Sequence, residues 1–494
     1  MTKERLRFLL WAGTALAAGL ALRLWFIRQM PHVAGDTLMY GGIARNILQH
    51  GVYGVTEAGP TPGSQMIRPT LMRLPGYPLF LAVCFRLFGM ENYQAVLYVQ
   101  TAADLGTCWL ASALARRVFG RRAALPVLWL AALCPFTANY AAAALTEALV
   151  LSCIALVFYG CARWQDAGMG FNRWLWAVMF GLAYGILLRP EQGLMAAAVV
   201  PAMLWRSLCG EGWQNGLARG RPVVVGAMCV LLPLVPWTVR NWRTFHVFEP
   251  LAPRSACDPG EREPVGFERW YRTWGIEFAS TDAVYWNWDG SRIEVGALPA
   301  RAFAAGCVAH KDARPGALYA PTAALLNEYN HQTVGTPEFD RRFGELARQK
   351  VKAEPLCYYV GLPMARVLNM MLRPRTEMMP VAVEWWKATP RPGQRVFAAA
   401  YGALNLVYFA LAGLGLLAWR RSGWGAYREL GWAMAASLLL RCALLLTLDN
   451  SEPRYTLEFF PVLFVWAGGL FCADRNIIER SRKRTIFSFS RARQ

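Results

Sequence analysis

Charge is scarce in this sequence. Only 17% of its 494 residues are Asp, Glu, Lys or Arg, against 55% apolar residues that include 21 Trp. Soluble domains carry about a quarter charged residues, so a soluble globular protein is excluded and a polytopic membrane protein is expected. Histidine is rarer still: five residues, far apart, with no CxxC pair among 12 Cys, which leaves no zinc site to be read. There is no Gly-rich phosphate loop, no low-complexity tract and no internal repeat. The missing repeat counts against an inverted-repeat transporter, which should also place polar residues through the bilayer midplane. Acidic residues are the minority charge, 32 against 52 basic, a net +20.

What is present is a series of apolar runs, and crossing a bilayer takes roughly 20 such residues. Ten segments qualify: Phe8 to Phe26, Tyr93 to Ala115, Ala123 to Asn139, Ala142 to Ala162, Trp174 to Leu188, Gly193 to Leu208, Pro222 to Trp237, Val396 to Trp419, Gly431 to Leu448 and Thr456 to Cys472. The first reads as an anchor, because it lacks a small-residue cleavage motif. Short basic loops mark the cytoplasmic side. The N-terminus (Lys3, Arg5, Arg7), the turn from Arg116 to Arg122, the loops Arg163 to Arg173 and Arg206 to Arg221, the turn Arg420 to Arg428 and the tail from Arg475 all fall there if an eleventh candidate, Leu74 to Gly89, is re-entrant or interfacial. A full crossing by that segment would put every later basic loop outside. Both termini are therefore expected in the cytoplasm, in a multi-pass cytoplasmic (inner) membrane protein. The topology accounts for the basic excess, so nucleic-acid binding is not expected, and the tail is expected to touch anionic lipid headgroups.

The expected organisation is an all-α polytopic membrane protein with about ten transmembrane helices plus interfacial helices. Residues 1–240 form a transmembrane module with a first outer loop (28–92). Residues 241–395 form a large non-cytoplasmic cap, 396–474 the last membrane helices, and 475–494 the basic tail. In the cap, Phe339, Phe343, Leu346 and Val351 repeat at helical spacing. Cys257, Cys307 and Cys357 lie there too, and three cysteines allow at most one disulfide.

Five arginines sit at helix ends on the outer side, where basic residues should be few: Arg68, Arg73, Arg189, Arg240 and Arg454. A guanidinium stays charged and binds phosphate oxygens bidentately, so the set points to a bound phosphate. The bland alternative is snorkelling to headgroups, or pairing of Arg189 with Glu191 and of Arg454 with Glu452. Asp36 precedes an amphipathic stretch (Leu38, Met39, Ile43, Ile47, Leu48). It can act as a general base or merely cap an interfacial helix. Glu147 follows Thr146, an expected N-cap, at a positive helix end. Its alternative role, shared with Glu191 and Glu452, is to bind sugar hydroxyls or orient an arginine. Tyr40 and Tyr455 are candidate contacts to sugar or phosphate.

The runs Ala34 to Tyr53, Arg73-Leu74-Pro75-Gly76-Tyr77-Pro78, Leu145-Thr146-Glu147-Ala148-Leu149, Leu188-Arg189-Pro190-Glu191, Pro236-Trp237-Thr238-Val239-Arg240-Asn241-Trp242 and Glu452-Pro453-Arg454-Tyr455 resemble the polyprenyl-phosphate-dependent GT-C glycosyltransferases: the family 39, protein-mannosyltransferase-like and aminoarabinose-transferase-like enzymes. The likeness is weakest over Ser255 to Thr336. It implies a GT-C-type fold and an inverting transfer of one sugar from a polyprenyl phosphate to an acceptor outside the membrane: a lipid-linked glycan, lipid A, a wall polymer or a protein. It further implies Asp36 as the base, with Arg73, Arg240 and Arg189 at the donor phosphate; Arg454 and Arg68 are candidate phosphate contacts from their place at outer helix ends alone. Many relatives carry a second acid where this chain has Thr37. A lone acid makes a poor site for a hard cation, so no divalent metal is expected to be required. The competing readings are a transporter or flippase of lipid-linked sugars and a catalytically degenerate lipid-phosphate binder.

Overall fold

The computed structural model describes residues 3–59, 61, 63–209, 213–254, 257–304, 318–387 and 391–471. The basic tail and Cys307 lie outside them. Among the described residues the only sheet is a two-stranded one; nearly all other regular structure is helical. The chain divides into two compact units, one made of Met1–Pro259, Leu406–Leu440 and Leu457–Gln494, the other of Gly260–Asn405 and Arg441–Thr456.

The first unit begins with α1 (Lys3–Gln29), α2 (Asp36–His50), the hairpin β1 (Gly54–Ala58) and β2 (Gln65–Pro69), and α3 (Gly76–Phe88). At 13 residues, α3 is only about 20 Å long, short of a bilayer core of about 30 Å. Next come α4 (Tyr93–Phe119), α5 (Arg121–Ala132), α6 (Pro135–Ala141), α7 (Glu147–Asp166), α8 (Arg173–Leu188), α9 (Gly193–Leu208), α10 (Trp213–Leu231) and α11 (Leu234–Phe245). Among the described residues, four helical stretches suffice by length and composition to cross a membrane, against the ten expected: Lys3–Gln29, Glu147–Asp166, Ala218–Phe245 and Pro392–Arg421. The span expected over Ala123 to Asn139 is instead α5 and α6, bent by 53°. The break has a local cause. Pro135 has no N–H to donate and disfavours helical geometry at the residue before it, and Cys134 is extended (φ −65°, ψ 110°). The span expected to begin at Ala142 begins at Glu147, because Ala142 to Thr146 form a turn.

The described membrane helices are tied by polar contacts where lipid would leave a charge unsolvated. Arg23 of α1 and Asp104 of α4 pair at 2.5 Å, both fully buried, and Arg23 also donates to the carbonyls of Gly19 and Ala132. An unpaired charge there would be costly.

The second unit holds α12 (Val265–Arg272), α13 (Phe278–Ala283), α14 (Ala300–Phe303), α15 (Tyr319–Gln332), α16 (Pro337–Ala353) and α17 (Leu362–Leu372). The first part of α18 (Pro392–Arg421) and the end of α19 (Arg428–Leu445) also belong to it, while α20 (Phe460–Ala467) returns to the first unit. Its core is aromatic: Phe267, Trp270, Tyr271, Trp274, Tyr329, Phe339 and Phe343 pack together. The helical spacing noted for Phe339, Phe343, Leu346 and Val351 is the buried face of α16. Thr336 caps that helix by accepting from the Phe339 N–H at 3.3 Å. Cys357 is disulfide-bonded.

Candidate functional site

The first-unit site begins at Gly35. Its φ of +56° lies in a region that side chains resist, and it serves as the N-cap of α2. Asp36 therefore stands inside the first helical turn, and the N-cap position is taken by Gly35. The segment before it is tied to the turn preceding α7. His32 donates its N–H to the Ala142 carbonyl at 3.0 Å, and Ala144 donates to the His32 carbonyl at 3.3 Å. Thr37, fully buried, donates its hydroxyl to the Ala144 carbonyl at 3.0 Å. The residue beside Asp36 thus anchors backbone, and Asp36 is brought to the same side as Glu147.

Arg73 lies between β2 and α3. Tyr53 donates to its carbonyl at 2.9 Å, and Asp258 accepts from the Leu71 N–H at 2.7 Å. Gly76 packs so close to α8 that a Cβ would come within 2.5 Å of the Leu187 carbonyl oxygen. No larger residue fits, which gives the Leu-Pro-Gly sequence a steric reason and brings Arg73 near the end of α8, where Arg189 follows. The Arg73 guanidinium meets the Asp36 carboxylate at 3.2 Å, with side chains 24% and 28% exposed. Both remain reachable from outside.

Arg189 has buried partners. It donates to Glu147 at 2.9 Å and to Glu458 at 3.1 Å, and Gln192 donates to Glu458 at 2.5 Å. Glu191, the partner weighed from the sequence, is farther, at 4.0 Å. Glu147 and Glu458 are nearly fully buried. Thr146 does not cap α7 with its side chain; its hydroxyl turns to the Glu147 carboxylate at 3.4 Å. Between the two clusters sits half-buried Tyr40, its ring 5.1 Å from that of Tyr77. Burial pushes its phenol up, Arg73 and Arg189 oppose that, and Asp36 and Glu147 reinforce it. Tyr40 thus lies within electrostatic reach of Asp36, Arg73, Glu147 and Arg189, and Glu458 joins the second set through Arg189. Glu458 went unnoticed in the sequence. The available signal was an acid inside an otherwise apolar span, which is rare without a function or a partner.

Arg240 and Arg68 are committed differently. Arg240 donates to the carbonyls of Thr70 at 2.7 Å and Tyr53 at 2.6 Å, and lies 5.3 Å from each of the Tyr53, Trp237 and Phe245 ring centres. It clamps α11 to the loop that carries Arg73. Arg68 pairs with Glu57 at 2.8 Å and Asp258 at 2.6 Å, fastening the hairpin at its base. In the second unit Glu452 is a buried acceptor. It pairs with Arg454 and receives hydrogen bonds from Asn450 and Tyr455, both at 2.9 Å. Among the described residues no group of three His, Cys, Asp or Glu side chains could hold a metal ion.

By sequence, no curated protein matches the chain. A family model described as dolichyl-phosphate-mannose-protein mannosyltransferase matches residues 69–239, a stretch with Arg73, Glu147, Arg189 and Glu191. Among solved structures, the archaeal oligosaccharyltransferase AglB of Archaeoglobus fulgidus, in complex with an inhibitory peptide and a dolichol-phosphate, is 12% identical at a TM-score of 0.47. That alignment covers 98% of this chain and 52% of AglB, so the chain spans about half the length of that protein. ArnT from Cupriavidus metallidurans, bound to undecaprenyl phosphate, is 17% identical at a TM-score of 0.40, covering 94% of this chain and 78% of that one.

Proposed function

We propose that this chain is an integral-membrane glycosyltransferase. It moves one hexosyl or pentosyl unit from a polyprenyl-phosphate donor to an acceptor on the non-cytoplasmic face, with inversion and without a required metal. The observation that carries the proposal is the solvent-reachable Asp36–Arg73 pair, 3.2 Å apart, beside the buried Glu147–Arg189–Glu458 set. The family match over residues 69–239, whose description names a lipid-phosphate sugar, supports it.

The chemistry follows from the pair. Without donor, Arg73 neutralises Asp36 and lowers its value as a base. A donor phosphate takes up the guanidinium fork, which releases the carboxylate. The acceptor hydroxyl then attacks the anomeric carbon and gives its proton to Asp36. The bond from that carbon to the phosphate oxygen breaks, and polyprenyl phosphate leaves with the electron pair, its growing charge met by Arg73 in a low-dielectric setting. Tyr40 and Glu147 are the candidate contacts to the sugar hydroxyls, and Arg189, held between Glu147 and Glu458, fixes Glu147. Arg240 and Arg68 act by holding the loop that carries Arg73. Glu452, Arg454 and Tyr455 of the second unit, with Glu191, are further candidate contacts to donor or acceptor, which is a glycan, lipid or protein.

The test is transfer of radiolabelled sugar from a panel of polyprenyl-phosphate sugars in membranes expressing the wild type, Asp36→Asn and Arg73→Ala. Loss of a positioned base costs about 10²- to 10⁴-fold and loss of a charge-stabilising donor about 10²- to 10³-fold. Both variants should fall by those factors at normal expression. Full activity in Asp36→Asn would remove Asp36 from the reaction, and lipid binding without transfer by the wild type would favour a flippase or a degenerate binder.

A further inference from the structure

The second unit contains a cavity of about 490 Å³, walled by segments within residues 277–299 and 382–387. Its volume falls in the usual range of ligand sites, about 300 to 1,000 Å³. We propose that this cavity is a saccharide subsite that takes a short, non-phosphorylated stretch of the acceptor glycan. The proposal rests on the glycosyl-transfer reading above and adds to it a place and a charge rule for the acceptor.

The wall chemistry selects the ligand. Glu277, Asp282 and Glu384 present carboxylates, with Lys387 the one basic side chain of the lining. Glu277 pairs with Arg301, and Glu384 with Lys387 at 2.6 Å. Asp282 makes no ion pair among the described residues, so the cavity keeps a net negative charge. Paired carboxylates still have free lone pairs to accept from hydroxyls, whereas a phosphate entering here would meet like charge. An acyl chain is excluded too, since it would strip water from four charged side chains without replacing their hydrogen bonds.

The aromatic part fits a sugar. Trp386 lines the cavity while 47% exposed, and it stands edge-on to Trp385 at 6.1 Å. An indole in this setting offers an apolar face to sugar C–H groups beside polar partners for the hydroxyls. Part of the floor is rigid, because Arg301 also donates to the Trp274 carbonyl at 2.7 Å and Trp274 belongs to the aromatic core. The Glu277 carboxylate is thereby held in place before a ligand arrives.

The experiment uses the full-length protein in lipid nanodiscs and measures calorimetric binding of three probes: the neutral disaccharide chitobiose, its de-acetylated diamine, and chitobiose 1-phosphate. The expected order is diamine tightest, neutral next and phosphate weakest, with about tenfold between the outer two. Trp386→Ala, and Ala297→Trp, which fills the cavity from its wall, should each weaken the first two probes by about tenfold while leaving polyprenyl-phosphate binding unchanged. Wild-type binding of none of the probes, equal binding of the phosphate, or unchanged binding in both variants would overturn the subsite. Transfer activity is scored separately. A wild type that transfers no sugar yet binds the probes in a Trp386-dependent way sinks the enzyme reading and leaves the subsite standing; transfer with Trp386-independent binding does the reverse.

Discussion

At the residue scale the chemistry turns on how each arginine is neutralised. Arg73 meets Asp36, an acid that solvent can reach, and on the proposed reading a phosphate exchanges with it there. Arg189 is matched by two buried acids, so its removal strands both. Arg189→Ala should destabilise the protein by about 3 to 5 kcal/mol, visible as loss of folded protein on heating in detergent. Glu147→Gln keeps the shape and leaves a neutral Arg189–Glu458 pair, so it should cost under about 1.5 kcal/mol and reveal any effect on transfer rate. The arginines themselves stood out in the sequence, because the loop-charge pattern leads one to expect few basic residues at the helix ends where they lie. Their partners were not. Nothing in the spacing of Arg189 and Glu458, 269 positions apart, says that they meet, whereas the nearby Glu191 suggested itself and turned out to be the weaker contact.

At the element scale, loops carrying candidate residues are held by buried donors elsewhere. In the second unit Arg375, 1% exposed, donates to Asn405 at 3.1 Å, the Pro453 carbonyl at 2.7 Å and the Thr456 hydroxyl at 2.5 Å. It grips both ends of the Glu452–Tyr455 turn. Hydrogen bonds from a charged group contribute about 1.5 to 3 kcal/mol each. Arg375→Ala should lower the thermal midpoint and slow transfer together, and Arg375→Lys should restore only part of either, since an ammonium cannot reproduce the three-way fork. The helices follow from apolar runs and the α5–α6 break from Pro135. The hairpin between α2 and α3 closes on itself, but the grips of Arg240 beside it and of Asp258 on Arg68 are tertiary choices, since both arrive from far along the chain.

At the scale of the whole molecule, a pH response is built into the second unit. Glu268 is raised to about 7, first by burial and then by Asp449, Glu263 and Asp340, while a hydrogen bond from Tyr285 opposes the shift. A carboxyl with a raised folded pKa favours the protonated form. Its contribution to stability is fully present below the unfolded value near 4.5 and is lost as pH rises through about 7. After discounting for solvent, the loss is on the order of 1 to 2 kcal/mol. Thermal unfolding scans from pH 5 to 8 should show the midpoint falling, and Glu268→Gln should flatten that slope. A slope unchanged in the variant would assign the response to another group.

The sequence by itself determined the class of molecule. Apolar runs, basic loops and arginines at helix ends depend on composition and on short-range order, which partition between water, headgroups and hydrocarbon sets directly. It also marked Asp36, Arg73, Glu147 and Arg189 as candidates, since each sits at a helix start or end. Tertiary structure alone decided what those residues do to one another. Gly76 lets α3 touch α8, Thr37 ties α2 to the turn before α7, and Glu458 closes on Arg189. Such contacts join residues dozens to hundreds of positions apart, and they form because a buried charge or hydroxyl must find a partner wherever the packed helices bring one.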